Sequence, residues 1–273
     1  MCISGDLVSD LMSVNYVITM PSPDAPNSNL GPGTYDKPRS VKLRIMGEDQ
    51  NVQLYYTIDG TQPTIDSPQY TGEAIKMPTG RVTLRAVAVN QYGKVSNEYN
   101  VLYKFGGNVK KYFRADIDNF DDFTLHKTSY EAFVKKFGAP DKEDYFEDEA
   151  ISGECLRLTY DWGEALFNTT EDGRMVYAVT TTSAKMTGPR KTGVGKTLDD
   201  VTNKYRDVGQ LANAKGDRSV YYDADVGYAR ITNLGNDQKT LVYLYKNLDQ
   251  STVTLTYYLT KDKVEKVSIA YHQ

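Results

Sequence analysis

The chain has 273 residues and a formal net charge of −4, which argues against nucleic acid as a partner, because that needs a concentrated basic surface. A hydrophobic content of 40% supports ordinary globular cores, and the length suggests about two domains. Two cysteines, Cys2 and Cys155, exclude a disulfide framework, and no apolar run is long enough to form a transmembrane segment.

Residues 1–20 lack the early Lys or Arg of a signal peptide, and Asp6 and Asp10 interrupt the apolar run. VSDLMSVNY at 8–16 parallels VSNEYNVLY at 95–103, at an offset of 95 − 8 = 87. Val8/Val95, Ser9/Ser96, Val14/Val101 and Tyr16/Tyr103 are identical pairs. Residues 1–20 are therefore expected to carry the last strand of a truncated preceding repeat, whose loss would have removed a signal peptide. Chance similarity between two strands is the alternative. Residues 21–30 hold Pro21, Pro23 and Pro26 and are expected to form a Pro-rich extended linker.

The stretch YYTIDGTQPTIDSPQY at 55–70 carries the strongest local signal. Asp59-Gly60 is a hairpin dipeptide, since both positions tolerate positive φ. RVTLRAVAV at 81–89 reads as a second strand, Tyr92-Gly93 as a turn, and VSNEYNVLY at 95–103 as a third strand. Short strands punctuated by turns predict an antiparallel β-sandwich. These words, with PGTYDKP at 32–38 as an opening strand, resemble the chitobiase/β-hexosaminidase C-terminal repeat, an immunoglobulin-like module, over 31–105. In the hexosaminidases of that resemblance the catalytic carboxylates sit on a separate barrel, which needs about 250 residues by itself. The resemblance therefore implies a spacer, an adhesion unit or a binding accessory of an extracellular protein, without hydrolysis.

FGGNVKK at 105–111 marks a boundary, and 110–273 reads as a further domain. The two pieces are each expected to fold alone. TSYEAFVKKFG at 128–138 has helical spacing at Tyr130, Phe133, Val134 and Phe137, with Thr128 and Glu131 as a capping box and Gly138 as the stop. KTLDDVTNKY at 196–205 gives a second helix, capped by Thr197 and Asp200 and offset from the first by 197 − 129 = 68. Strands follow each helix: 155–167 and 174–182 after the first, and 240–246, 251–259 and 264–271 after the second. Helix then strands, twice over, predicts an α+β domain of two short helices on an antiparallel sheet, a tandem internal repeat. Its short motifs over 123–272 resemble the β-lactamase-inhibitor-protein-like fold, without that family's disulfides. That resemblance implies an alternative function, a secreted inhibitor binding an enzyme through an open sheet face.

Motifs for chemistry are scarce. TGVGKT at 192–197 resembles the end of a phosphate loop, but the glycine required at position 190 is Arg190, so a glycine turn into the Thr197 cap explains it. DIDNFDD at 116–122 fails as a calcium loop at Phe120, Asp121 and Lys127, and reads as a surface loop. His126 and His272 are the only histidines, too few for a zinc site or a recognisable triad. No catalytic residue, cofactor or metal is expected, and the chain is read as a non-enzyme.

Strand alternation puts Leu156, Leu158, Tyr160 and Trp162 on one face, under the helices. The opposite face carries Arg157, Thr159 and Asp161, joined from the C-terminal strands by Thr254, Thr256 and Tyr258 with Lys266 and Ser268. It is the candidate partner-binding face, the alternative being a merely wetted sheet. The sequence as a whole reads as a mainly β, non-catalytic protein of the extracellular space or cell wall, binding protein or cell-wall glycan.

Overall fold

A computed structural model of the chain describes residues 3–4, 7–8, 12–16, 20–47, 51–107, 110–149 and 151–273. β1 (Ile3–Ser4) and β2 (Leu7–Val8) pair with each other, Ile3 opposite Val8. The strand expected over 8–16 does not form as one element. Residues 12–16 have no regular structure, and Met12, Val14 and Tyr16 are exposed, with no apolar layer to pack on. Positions 9–11 of that expectation lie outside the described residues.

The immunoglobulin-like part comprises β3 (Pro26–Ser28), β4 (Gly33–Tyr35), β5 (Ser40–Val41), β6 (Leu43–Ile45), β7 (Val52–Thr57), β8 (Ile75–Lys76), β9 (Gly80–Asn90) and β10 (Tyr99–Phe105). One sheet has the order β4-β10-β9-β7, and the pairs β3–β6 and β5–β8 supply further strands. Val41, Leu43 and Ile75 from those pairs share a core with Leu54, Tyr56, Val82, Leu84 and Tyr103 of the main sheet. Alternation along β9 buries Val82, Leu84 and Ala86, as its β-branched and apolar spacing requires. One pair is parallel rather than antiparallel: β4 lies beside β10, Gly33 opposite Tyr103.

Two expectations change here. The linker over 21–30 is sheet in its second half, because β3 pairs with β6. Ser28 fixes it, donating to Leu30 O (2.7 Å) and lying 2.8 and 3.0 Å from the hydroxyls of Tyr99 and Tyr103. The Asp59-Gly60 pair does not make a two-residue hairpin either. The Asp59 carboxylate accepts from Thr61 N (3.0 Å) and Thr61 Oγ1 (2.8 Å), a local turn that competes with the tight hairpin. The chain returns only at 68–70, where Tyr70 N donates to Leu54 O (2.7 Å) and Tyr56 N to Pro68 O (3.1 Å). Gly60 has φ of 92°.

The second part opens with irregular chain that buries Phe113, Phe120 and Phe123. It continues through α1 (Tyr130–Phe137), β11 (Lys142–Asp148), β12 (Ile151–Tyr160), β13 (Gly163–Thr170) and β14 (Gly173–Thr181). Then come α2 (Leu198–Thr202), β15 (Arg218–Asp223), β16 (Gly227–Gly235), β17 (Gln238–Lys246), β18 (Thr252–Thr260) and β19 (Lys263–His272). All nine strands form one antiparallel sheet, ordered β11-β12-β13-β14-β19-β18-β17-β16-β15. The strands that close each helix-led half, β14 and β19, meet in the middle. Each helix cap bridges to the closing strand of its own half, Ser129 to Met175 and Thr197 to Lys263. The cap of α1 is Ser129 rather than Thr128: Ser129 Oγ accepts from Ala132 N, while Thr128 Oγ1 accepts from Thr124 N (2.9 Å). Thr197 and Asp200 form the full capping box, but α2 stops at Thr202, short of 205.

The two parts are in contact well beyond their connecting segment. Their buried apolar side chains form one continuous cluster. A polar seam adds to it. Gln210 pairs with the strand backbone of the first part, accepting from Ile58 N (2.7 Å) and donating to Tyr56 O (3.3 Å). Arg206 donates to Thr79 O (3.2 Å) and Arg81 O (2.8 Å), and the Ser219 hydroxyl donates to the Asp59 carboxylate.

Candidate functional site

Pairing register carries the face of one strand to the next, so a row of partners crosses the nine-stranded sheet on a single side. One such row runs Lys142, Thr159, Glu164, Thr180, Ser268, Thr256, Val242, Arg230, Ser219. The adjacent row on the same side includes Arg157, Leu166, Ala178, Ala270, Thr254, Leu244, Tyr228 and Tyr222. Tyr258, opposite Lys266, extends the face at its other margin.

Arg157, Thr159, Thr254, Thr256 and Tyr258 thus share one face, contributed by strands a hundred residues apart in sequence. On β18 the burial alternates throughout: Val253, Leu255, Tyr257 and Leu259 are buried, and the intervening residues are half-buried. Asp161 does not join them. It lies in the turn between β12 and β13, where strand alternation has ended, and is exposed. Trp162 belongs with the helix side, stacked on Tyr160 (4.7 Å between ring centroids) and packed on Phe137 (5.4 Å).

The open face has three zones. Its centre is a stripe of hydroxyls, with Thr180 Oγ1 donating to Ser268 Oγ (3.0 Å) and Thr254 Oγ1 3.0 Å from His272 Nε2. Lys266 Nζ stands 4.0 Å from the Tyr258 ring centroid, a cation–π contact. Toward β11 a small apolar cluster of Ile151, Cys155, Tyr177 and Ala178 carries its own core. There the Tyr177 hydroxyl donates to Asp148 Oδ2 (2.7 Å), and burial pushes both the Tyr177 hydroxyl and the Cys155 thiol up from their ordinary values. Arg157 caps this end, over the Phe146 ring and 3.2 Å from Glu164 Oε2.

Toward β15 the face runs into the first part of the protein. A cleft of about 520 Å³ opens there, between the 57–68 turn and the Tyr222, Tyr228 and Arg230 side chains. The sequence reading missed these residues, because β15 and β16 were left unassigned. GYARI carried a signal, since alternation sets Tyr228 opposite the buried Ala229 and Ile231, but VYYD did not: Val220 and Tyr222 are two positions apart, and the bulge between Ser219 and Tyr221 is what turns Tyr222 to the open face.

The two motifs set aside for chemistry have structural work. Asp118 of the 116–122 loop and Arg190 of the glycine turn form an ion pair at 2.8 Å. Among the described residues no group of three or more His, Cys, Asp or Glu could hold a metal ion, and no helix is long and apolar enough to cross a membrane. What the open face offers is hydroxyls, cationic side chains and aromatic rings at spacings fixed by the sheet.

The fold is mainly β, an immunoglobulin-like sandwich joined to a nine-stranded sheet that bears two short helices. Residues 30–100, from just before β4 into β10, match the family model of the chitobiase/beta-hexosaminidase C-terminal domain. No curated protein matches the chain. Residues 123–272 lie outside the matched segment, and their likeness to the β-lactamase-inhibitor-protein-like fold rests on short sequence motifs alone.

Proposed function

We propose that this is a non-catalytic, carbohydrate-related binding protein of the cell surface or extracellular space. In this reading the immunoglobulin-like part acts as a spacer and as one wall of the binding surface. The nine-stranded sheet presents its open face to a glycan. The observation that carries it is the row of register partners across nine strands, Lys142 to Ser219, polar at every position but Val242 and left uncovered by helices that pack on the other side. An antiparallel sheet that exposes one ordered face of hydroxyls and tyrosine offers sequence-distant groups to an extended ligand. The match of 30–100 to a domain found beside carbohydrate-active barrels supports glycan over other partners.

The test uses the purified chain on immobilised glycans and isolated bacterial cell wall. Thr256→Lys, at the centre of the face, should abolish retention while circular dichroism stays unchanged. Lys94→Ala, in the distant turn after β9, should leave retention intact. Retention that Thr256→Lys does not reduce, or no retention on any surface, would overturn the proposal.

A further inference from the structure

The 520 Å³ cleft where the open face meets the immunoglobulin-like part is too specific in its chemistry to be only a seam. Its volume falls within the range of about 300–1,000 Å³ typical of small-molecule sites. We propose that it is a binding site for a neutral oligosaccharide, with Tyr222 and Tyr228 as the stacking platform. This rests on the reading of the protein as a glycan-binding module and places the principal subsite at one end of the face.

Tyr222 and Tyr228 are direct cross-strand partners at the end of the sheet. They are 42% and 36% exposed, whereas Tyr221 and Tyr243 beside them are fully buried. Two aromatic side chains on paired positions of neighbouring strands, both lining the cleft, offer apolar ring surface to one ligand. Such a platform suits the C–H face of a pyranose, which offers apolar surface on one side and hydroxyls at its rim.

Charge in the cleft sets the ligand class. Arg230 pairs with Asp217 (2.9 Å), Arg218 with Asp207 (2.8 Å) and Lys215 with Asp66 (3.0 Å). Asp59 is engaged by Thr61 and Ser219. An ionic ligand would compete with the partner already held by each of these charges. A neutral polyol would not, because each paired carboxylate keeps lone pairs that accept a sugar hydroxyl. The walls are fixed before any ligand arrives, since Gln210 joins the two parts through backbone groups of β7 and its extension. A preformed site loses little entropy on binding.

Titration calorimetry on the full chain tests this with neutral tetrasaccharides of β-1,4-linked N-acetylglucosamine, β-1,4-linked glucose and α-1,4-linked glucose, and with tetragalacturonate as the charged comparison. At least one neutral tetrasaccharide should bind, with an affinity that changes little between low and high salt. Tyr222→Ala and Tyr228→Ala should each weaken it tenfold or more. Tyr222→Phe and Tyr228→Phe, which keep the rings, should retain it, as should Tyr145→Ala at the far end of the sheet. Binding that survives both alanine variants but is lost in Thr256→Lys would overturn the cleft site and leave the face as the glycan surface. Binding of tetragalacturonate alone, lost as salt rises, would overturn the neutral ligand. If no tetrasaccharide binds, the cleft proposal fails even where the chain is retained on cell wall.

Discussion

Arg190 and Asp118, 72 positions apart, form a two-pronged ion pair: Nε donates to Oδ1 and one terminal nitrogen to Oδ2, each at 2.8 Å. The remaining guanidinium hydrogens go to backbone carbonyls of Lys111 (3.2 Å), Tyr112 (2.7 Å) and Lys204 (2.7 Å). The Asp118 carboxylate also accepts from Arg114 N (2.9 Å). The plane of the guanidinium lies over Tyr205 at 4.3 Å. One side chain thus holds three irregular segments against the helix side of the sheet. With exposures of 21% and 7%, the pair is largely withdrawn from water. Breaking it from one side should cost about 3–5 kcal/mol, since it strands a charge. Arg190→Ala and Asp118→Ala should each show this loss in urea unfolding. Arg190→Lys should recover only a minor part, because an ammonium lacks the fork. Full stability in Arg190→Lys would mean that the carbonyl contacts contribute nothing.

Gln210 gives the seam between the parts a test. Gln210→Ala leaves Ile58 N without its partner, at a cost of about 1–3 kcal/mol for a buried donor. Together with Arg206→Ala it should separate a single calorimetric transition into two, one per part. The segments 31–105 and 110–273, expected from sequence to fold alone, should each do so with a lower melting temperature than in the full chain. Equal melting temperatures, joined or apart, would show the seam to be energetically empty.

Gly60 and Gly163 need glycine for different reasons. Gly60 has φ of 92° but its nearest neighbour to an added Cβ is Thr83 Cβ at 3.5 Å, so Gly60→Val meets backbone strain of about 1–3 kcal/mol. At Gly163, with φ of 140°, a Cβ would stand 2.0 Å from Thr180 O. Gly163→Ala should therefore be the more damaging change despite its smaller side chain, opening the β13–β14 pair. Thermal melts that rank the two in the opposite order would contradict this geometry.

His126 should make stability depend on pH. Burial lowers its pKa from the ordinary 6.5, opposed by the Asp249 carboxylate, and its ring packs edge-on against Tyr271 at 4.1 Å. The unfolded chain binds this proton at a higher pH than the folded one does. The contribution of His126 is therefore complete above pH 6.5 and declines as pH falls through 6.5 toward the lowered folded value. His126 has φ of 55°, which Asn tolerates, so His126→Asn should flatten the slope below pH 6.5 without a large fall in stability at pH 8. An unchanged slope in His126→Asn would assign the dependence to other groups.

Periodicity and turn chemistry in the sequence determined which side of each regular element is apolar. The alternation of β18, the stripe of α1 and the Thr197 capping box all follow from local spacing, because a side chain's direction on a strand or helix is set by its own backbone, whereas Trp162, in the turn after β12, reaches the helix side through its contacts with Tyr160 and Phe137. β11 was not legible: KEDYFED is an edge strand whose residues are all exposed or half-buried, so no apolar face marks it. Pro26 marked a linker where β3 forms, since the composition of three residues says nothing of a waiting partner. Only the tertiary structure decided which strands are neighbours. The meeting of β14 and β19, the row from Thr159 to Arg230, and the cleft beside Tyr222 and Tyr228 depend on register between distant segments. They depend equally on Arg206 and Gln210, loop residues whose partners are backbone groups more than a hundred positions away. Contacts of that kind have no period, and a sequence read segment by segment cannot express them.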